Sequence, residues 1–283
     1  MRVALAQVVT GRDISGNLEL VENFARQAKK GGAEMVVFPE ATMRAFGNSL
    51  LDIAEPLDGP WATRVRRIAG ELGIVIVAGM FTPGDSGSAG SGQTGAGASD
   101  SDDVRKVRNT LLVTGPGVEA SYDKIHLFDA FGFAESATVD AGTGPVTFEL
   151  GGIRFGLATC YDVRFPALFT ANADLGAEVN IVCASWGSGP GKVDQWRLLA
   201  RARAVDTTTY VLACGQGDPA TQGIETKGPA PTGVGHSAVV SPLGEVIEEL
   251  DGGTGLLFAD LNPAVVKEAR AKLPVLANRH TFQ

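Results

Sequence analysis

Apolar runs without clean alternation recur along the chain, and most are followed by a stretch with helical spacing. "RVALAQVV" reads as a short strand, and "NLELVENFARQAKKGGAE" then spaces Leu18, Val21, Phe24, Ala25 and Ala28 at helical intervals before paired glycines. "MVVFPE" is a second strand, "WATRVRRIAGELG" an amphipathic helix and "IVIVAGM" a third strand. "RNTLLVTGPG" predicts a strand closed by a Gly-Pro-Gly turn. Farther on, "IRFGLATC", "AEVNIVCAS" and "TTYVLACG" read as strands separated by helical stretches over Phe165–Leu175 and Val193–Val205. "GHSAVVSPLGEVIEEL" has the form of a hairpin turning at Pro242–Gly244, and "GLLFADL" is one more strand. "NPAVVKEARAKLP" predicts a final helix with Asn262 as N-cap and Pro263 in the first helical position.

Strands of this kind are covered on both faces or lie between two layers. Their alternation with helices predicts a layered α/β fold. No repeat or compositional break suggests a linker, so a single domain over 1–283 is expected. Pro83 to Asp103 stands apart, with no large apolar residue and no basic one. Such a segment cannot offset its ordering entropy by burial, which predicts a mobile, disordered loop inserted between two strands. Gly90, Gly92 and Gly95 inside it match the dinucleotide pattern GxGxxG, but the strand before and helix after that the pattern requires are missing. "GSGPGKV", residues 187–193, resembles a phosphate loop, yet it is one residue short and has Val193 where a hydroxyl is needed.

Composition narrows the function. The 283 residues are 44% hydrophobic and 20% charged, as in an ordinary globular protein. A formal charge of -8 without any basic run argues against nucleic acid as a partner. Three cysteines, none in a CxxC pair, and three histidines make neither a disulfide framework nor a structural zinc site. The opening "MRVALAQVVT" is too short for a secretory core or a membrane span, so the expected location is a reducing cytoplasm.

Three apolar runs give way abruptly to reactive groups. "MVVFPE" ends in Glu40, "LATCYD" carries Cys160, and "YDKIHLFD" sets Lys124 among aromatics. Strand ends of an α/β sheet converge on one edge, where such folds keep their sites. A carboxylate, a thiol and an ammonium suffice for acyl transfer: one takes the proton, one attacks, one stabilises the oxyanion. Each also has an ordinary reading. A free cysteine is commonly a small buried hydrophobe, Glu40 would serve as a helix cap or surface partner, and most lysines are solvated. Spacing by itself leaves both readings open. A Cys–His hydrolase using His126 or His236, and a binding protein without catalysis, are the competing classes.

"VVFPEA", "YDKIHLFD" and "CYDVRFP", in that order, resemble the signature segments of the nitrilase superfamily of carbon–nitrogen hydrolases. The resemblance continues through Glu135 in "FAESATVDAG", through "WRLLARARAVDTTTYVLAC" and through "GHSAVVSPLGEV". It implies a four-layer α-β-β-α sandwich with two mixed sheets between helical layers, commonly dimerised, with neither metal nor organic cofactor. It also implies Cys160 as nucleophile, Glu40 as general base, Lys124 as oxyanion donor, Glu135 as the group positioning that lysine, and the Tyr161 backbone N–H as second donor. Tyr161 and Asp162 after the cysteine look more like the amidase branches than true nitrilases, and "CYDVRFP" with "RARAVD" is similar to omega-amidases and deaminated-glutathione amidases. A small amide bearing a carboxylate is then the expected substrate, with N-carbamoyl amino acids or nitriles as alternatives. Arg164 would attract its carboxylate, or else pair with Asp162 or lie on the surface; Trp186 and Phe46 would line the pocket or pack as ordinary core. Cys183 and Cys214, inside apolar strands, are expected to be inert.

Overall fold

The computed structural model describes residues 1–85, 105–226 and 228–280. The elements run β1 (Arg2–Gln7), α1 (Ile14–Lys30), β2 (Met35–Val37), α2 (Pro60–Leu72), β3 (Val75–Pro83), β4 (Val107–Gly115) and β5 (Val118–Asp123). Short strands follow: β6 (Asp129–Ala130), β7 (Phe133–Ala134), β8 (Val139–Asp140) and β9 (Thr147–Leu150). The second half holds β10 (Ile153–Thr159), α3 (Pro166–Asp174), β11 (Val179–Ala184), α4 (Lys192–Thr207) and β12 (Tyr210–Gly215). The chain then forms β13 (Ala238–Val240), β14 (Val246–Glu249), β15 (Gly255–Asp260), α5 (Pro263–Lys272) and α6 (Val275–Asn278).

Two mixed sheets face each other. One has the order β15-β1-β2-β3-β4-β5, with β8 also paired to β4; the other runs β14-β13-β12-β11-β10-β9. The central strands β1-β2-β3 and β10-β11-β12 are parallel within each sheet. Strand alternation divides the first sheet's side chains cleanly. Val3, Leu5, Met35, Val37, Val77, Leu111 and Val113 point inward to a core shared with Leu157, Ile181 and Leu212 of the other sheet. Ala4, Ala6, Val36, Ile76, Ala78 and Leu112 point outward against α1 and α2. On the far side α3 and α4 cover the second sheet through Phe169, Trp196, Ala200 and Ala204. The result is the α-β-β-α order of layers. Fully burying each such aliphatic side chain contributes about 1.5–3 kcal/mol.

Local chemistry sets the boundaries. The first helix starts earlier than its apolar spacing suggests, because the Asp13 side chain accepts from the N–H groups of Ser15 and Gly16 and caps it. Asn262 does the same for α5 at Ala264 N, 3.0 Å away, with Pro263 in the first turn as expected. The hairpin at 242–244 joins β13 to β14 as its pattern predicts. The short strands β6 to β9 were not legible, since two to four residues carry too little pattern. The loop expected over 83–103 falls between β3 and β4; its residues 86–103, including Gly90, Gly92 and Gly95, lie outside the described residues.

Candidate active site

Glu40 sits in a turn three residues past β2 and is fully buried. That turn presses on β3 at Gly79, where an added Cβ would come within 2.6 Å of Ala41 N and 2.9 Å of Pro39 O. A glycine is required there because the approach is backbone to backbone. The Glu40 carboxylate accepts from three donors: Lys124 Nζ at 3.0 Å and Asn109 Nδ2 at 2.8 Å on Oε1, and Ser185 N at 2.7 Å on Oε2.

Lys124 follows β5 directly. Its N–H donates to Asn109 O and its carbonyl accepts from Gly142 N, which pins the backbone on both sides. The ammonium is 2% exposed and also reaches Glu135, at 3.0 Å to Oε1 and 2.7 Å to Oε2. Glu135 lies in a short 3₁₀ turn, Glu135–Ala137, and accepts in addition from Phe128 N and Asn109 Nδ2. Burial by itself would lower the Lys124 pKa, but Glu40 and then Glu135 outweigh it and hold the ammonium well above its ordinary value.

Cys160 ends β10 at a sharp corner. Its φ is +48, left-handed backbone that a non-glycine residue adopts at a cost of about 1–3 kcal/mol. The corner is held by Asp162, whose Oδ2 accepts from Thr159 N at 2.8 Å and whose Oδ1 accepts from His126 N at 2.9 Å. The same carboxylate bonds the Tyr122 hydroxyl at 2.6 Å and lies 2.7 Å from His126 Nδ1. The thiol donates to Ser185 O at 3.8 Å and lies in the field of Glu40 and Lys124. Burial, then the Glu40 charge, push the thiol well above its usual range, against the pull of Lys124. Both effects favour the neutral thiol over the thiolate. Burial likewise raises Glu40, with Lys124 opposing and Glu135 adding to the shift.

Glu40, Lys124, Glu135, Cys160, Tyr161, Arg164, Trp186 and Phe46 all line one hollow of about 390 Å³, including its open side. Both sheets contribute to it, through the ends of β2, β5, β10 and β11. Aromatic side chains wall it: Tyr161 meets Phe128 edge-on at 5.2 Å, and Phe46 meets Phe133 at 6.5 Å. Tyr161 is the second residue of the 3₁₀ turn Cys160–Arg164, where the first N–H groups have no partner within the turn. Two buried carboxylates around one ammonium make a costly arrangement for stability alone, and such clusters concentrate at reactive sites.

Some readings need correction. Asp162 does not pair with Arg164; it is buried beneath the corner, while Arg164 donates to Gln195 Oε1 at 2.8 Å and stacks 5.0 Å over Trp186. His126 stacks on Phe165 at 3.7 Å, and neither it nor His236 lines the hollow with Cys160, which removes the support for a Cys–His pair. Cys183 and Cys214 are fully buried side by side on β11 and β12. Asn109 and Lys192 belong to the site's surroundings and carry no signal in sequence, and Asp162 shows there only as part of the motif after the cysteine, because each owes its role to neighbours distant along the chain. Among the described residues no His, Cys, Asp and Glu group is arranged to hold a metal ion, and no described helix is long and apolar enough to cross a membrane.

The family model for carbon–nitrogen hydrolase matches residues 2–271. A Mycobacterium tuberculosis protein named as a hydrolase is 51% identical over 288 residues, covering 100% of this chain and 96% of its own length. A deaminated glutathione amidase of Escherichia coli O157:H7 is 32% identical, covering 99% and 97%. Among solved structures, a nitrilase-superfamily protein of Saccharomyces cerevisiae superposes with a TM-score of 0.76 at 27% identity, covering 97% of this chain and 94% of that one. A mutant of a Nesterenkonia amidase in which acrylamide has added to the active-site cysteine superposes with a TM-score of 0.72 at 27% identity, covering 97% and 98%.

Proposed function

The chain belongs to the carbon–nitrogen hydrolase family, and from that premise we propose that it hydrolyses a small, carboxylate-bearing amide to acid and ammonia through a thioester on Cys160. The observation that carries this reading is that Glu40, bonded to the Lys124 ammonium at 3.0 Å, lines one hollow with Cys160, whose thiol lies in the field of both charges. A base, a nucleophile and an electrophile thus meet in one hollow.

Each group's state suits its step. The neutral Cys160 thiol gives its proton to Glu40 as sulfur attacks the amide carbon, and the raised Glu40 carboxylate is a better base than an ordinary one. The carbonyl oxygen gains charge between Lys124 Nζ and the Tyr161 N–H. Glu40 then passes the proton to the amide nitrogen as the carbon–nitrogen bond breaks, and ammonia leaves. Water next gives a proton to Glu40 and adds to the thioester carbon. The carbon–sulfur bond breaks, and the sulfur recovers the proton. Glu135 takes no part in these transfers; its two oxygens keep Lys124 aimed.

The relatives named as amidases support an amide substrate, and the cations Arg164 and Lys192 at the hollow support a carboxylate on it. Ammonia release from α-keto ω-amides, N-carbamoyl amino acids and simple nitriles tests the reading. Cys160→Ala should abolish release from the preferred class with unchanged circular dichroism. Full activity in that variant sinks the mechanism.

A further inference from the structure

The reactive hollow adjoins a second hollow of about 910 Å³, including its open side; Phe128, Gly187, Lys192 and Pro231 line both. Its ammonium lies 4.3 Å from the centroid of the Phe131 ring. Phe131 is 80% exposed and holds a left-handed φ of +56 at the tip of the β6–β7 ribbon. Bulky residues seldom adopt that backbone without a reason, and here the ring packs on a cation rather than in a core.

Arg164 converges on the same hollow, already bonded to Gln195 and stacked on Trp186. Among the described residues neither Arg164 nor Lys192 has a carboxylate within ion-pairing distance, although Arg44, Arg66, Arg197 and Arg203 each do. In a chain with 32 acidic and 24 basic residues, two cations without counter-ions at one mouth call for an explanation. Burial and the nearby Arg164 charge both lower the Lys192 pKa, the expected result of like charges awaiting an anion.

We propose that Lys192 is a specificity-determining residue that leaves the Phe131 ring to grip the substrate's carboxylate at the boundary of the two hollows, with Arg164 as the fixed second arm. This rests on the amide-hydrolase reading for its substrate. An exposed cation–π contact is weaker than a charge-assisted hydrogen bond to carboxylate, so the exchange runs toward the substrate. The flexible lysine stem supplies the reach that the stacked guanidinium lacks.

Alkylation of Cys160 tests the site without turnover. Iodoacetate and iodoacetamide share their chemistry and differ by one charge. The ratio of their rates at Cys160, located by peptide mass and referred to free cysteine, should favour iodoacetate in the wild type. Lys192→Met should cut that preference by about tenfold, with iodoacetamide unaffected, and Lys192→Arg should restore most of it. With an α-keto ω-amide, Lys192→Met should raise KM by about tenfold at similar kcat, leaving the substrate's methyl ester unchanged. A Lys192→Met protein that keeps the wild-type iodoacetate preference overturns the proposal. A wild type that releases no ammonia from any such compound sinks the hydrolase reading separately, and the alkylation ratio still decides the role of Lys192.

Discussion

The Asp162 carboxylate accepts a hydrogen bond from the Tyr122 hydroxyl at 2.6 Å, tying the corner that carries Cys160 to the strand that delivers Lys124. Four donors share its two oxygens: Thr159 N from the Cys160 side, and the Tyr122 hydroxyl, His126 N and His126 Nδ1 from the Lys124 side. The two sheets are thereby locked together beside the reacting groups, and the left-handed backbone at Cys160 is held in place.

Replacing Asp162 by Asn should test that lock. An amide nitrogen cannot accept, so at least one buried donor pair loses its acceptor, at about 1–3 kcal/mol for each group left unsatisfied. Urea unfolding should show a loss of about 2–5 kcal/mol for Asp162→Asn and about 1 kcal/mol for Tyr122→Phe, which removes a single bond. A change of less than about 0.5 kcal/mol in Asp162→Asn, a value typical of neutral surface substitutions, would refute the anchoring role.

What was legible in the chain follows the same division. Glu40 and Cys160 stand where apolar strands stop, and periodicity exposes such ends; Lys124 follows β5, which no apolar run announces, and only its aromatic neighbours and the family resemblance mark it. Asn109 is hidden in the interior of β4, and nothing local distinguishes it from any strand polar residue. Its amide bridges Glu40 and Glu135 because the fold brings together residues 69 and 26 positions away. Asp162 lies two residues from Cys160, yet its partners Tyr122 and His126 are 40 and 36 positions distant. Sequence alone offers its near neighbour Arg164 as one alternative partner, because adjacency is all that a chain reading sees. Lys192 lies in a stretch that only partly resembles a phosphate loop, and its place at the hollow depends on the turn before α4.

Gly79 offers a test of how the Glu40 turn is seated. A methyl group there would meet backbone atoms of Pro39 and Ala41, which cannot swing aside as a side chain would. Gly79→Ala should cost about 1–3 kcal/mol in overpacking and should depress ammonia release by displacing Glu40. Gly70→Ala, in the exposed interior of α2 with open space around the new methyl, should instead stabilise by about 0.5–1 kcal/mol with activity unchanged. Equal thermal stability in Gly79→Ala and wild type would show that the turn has room to move.

The pH dependence of kcat/KM should identify the base. Glu40 must be ionised to take the thiol proton, so activity is lost as pH falls through its folded-state value. Burial raises that value, Lys124 opposes, and Glu135 raises it further, which sets the acid limb above the usual carboxylate range. Lys124 is held well above its ordinary value and stays charged through the assay, so it is not the source of the limb. For stability the sign is opposite to that for activity. A carboxyl raised on folding contributes most below its unfolded value, and that contribution fades as pH rises through the folded one. Glu135→Gln removes a negative charge that lifts Glu40, so its acid limb should move to lower pH while kcat falls as Lys124 loses an anchor. Pre-steady-state ammonia release across the pH range measures both. An acid limb that stays put in Glu135→Gln, or that persists in Glu40→Gln at full amplitude, would assign the base to another group.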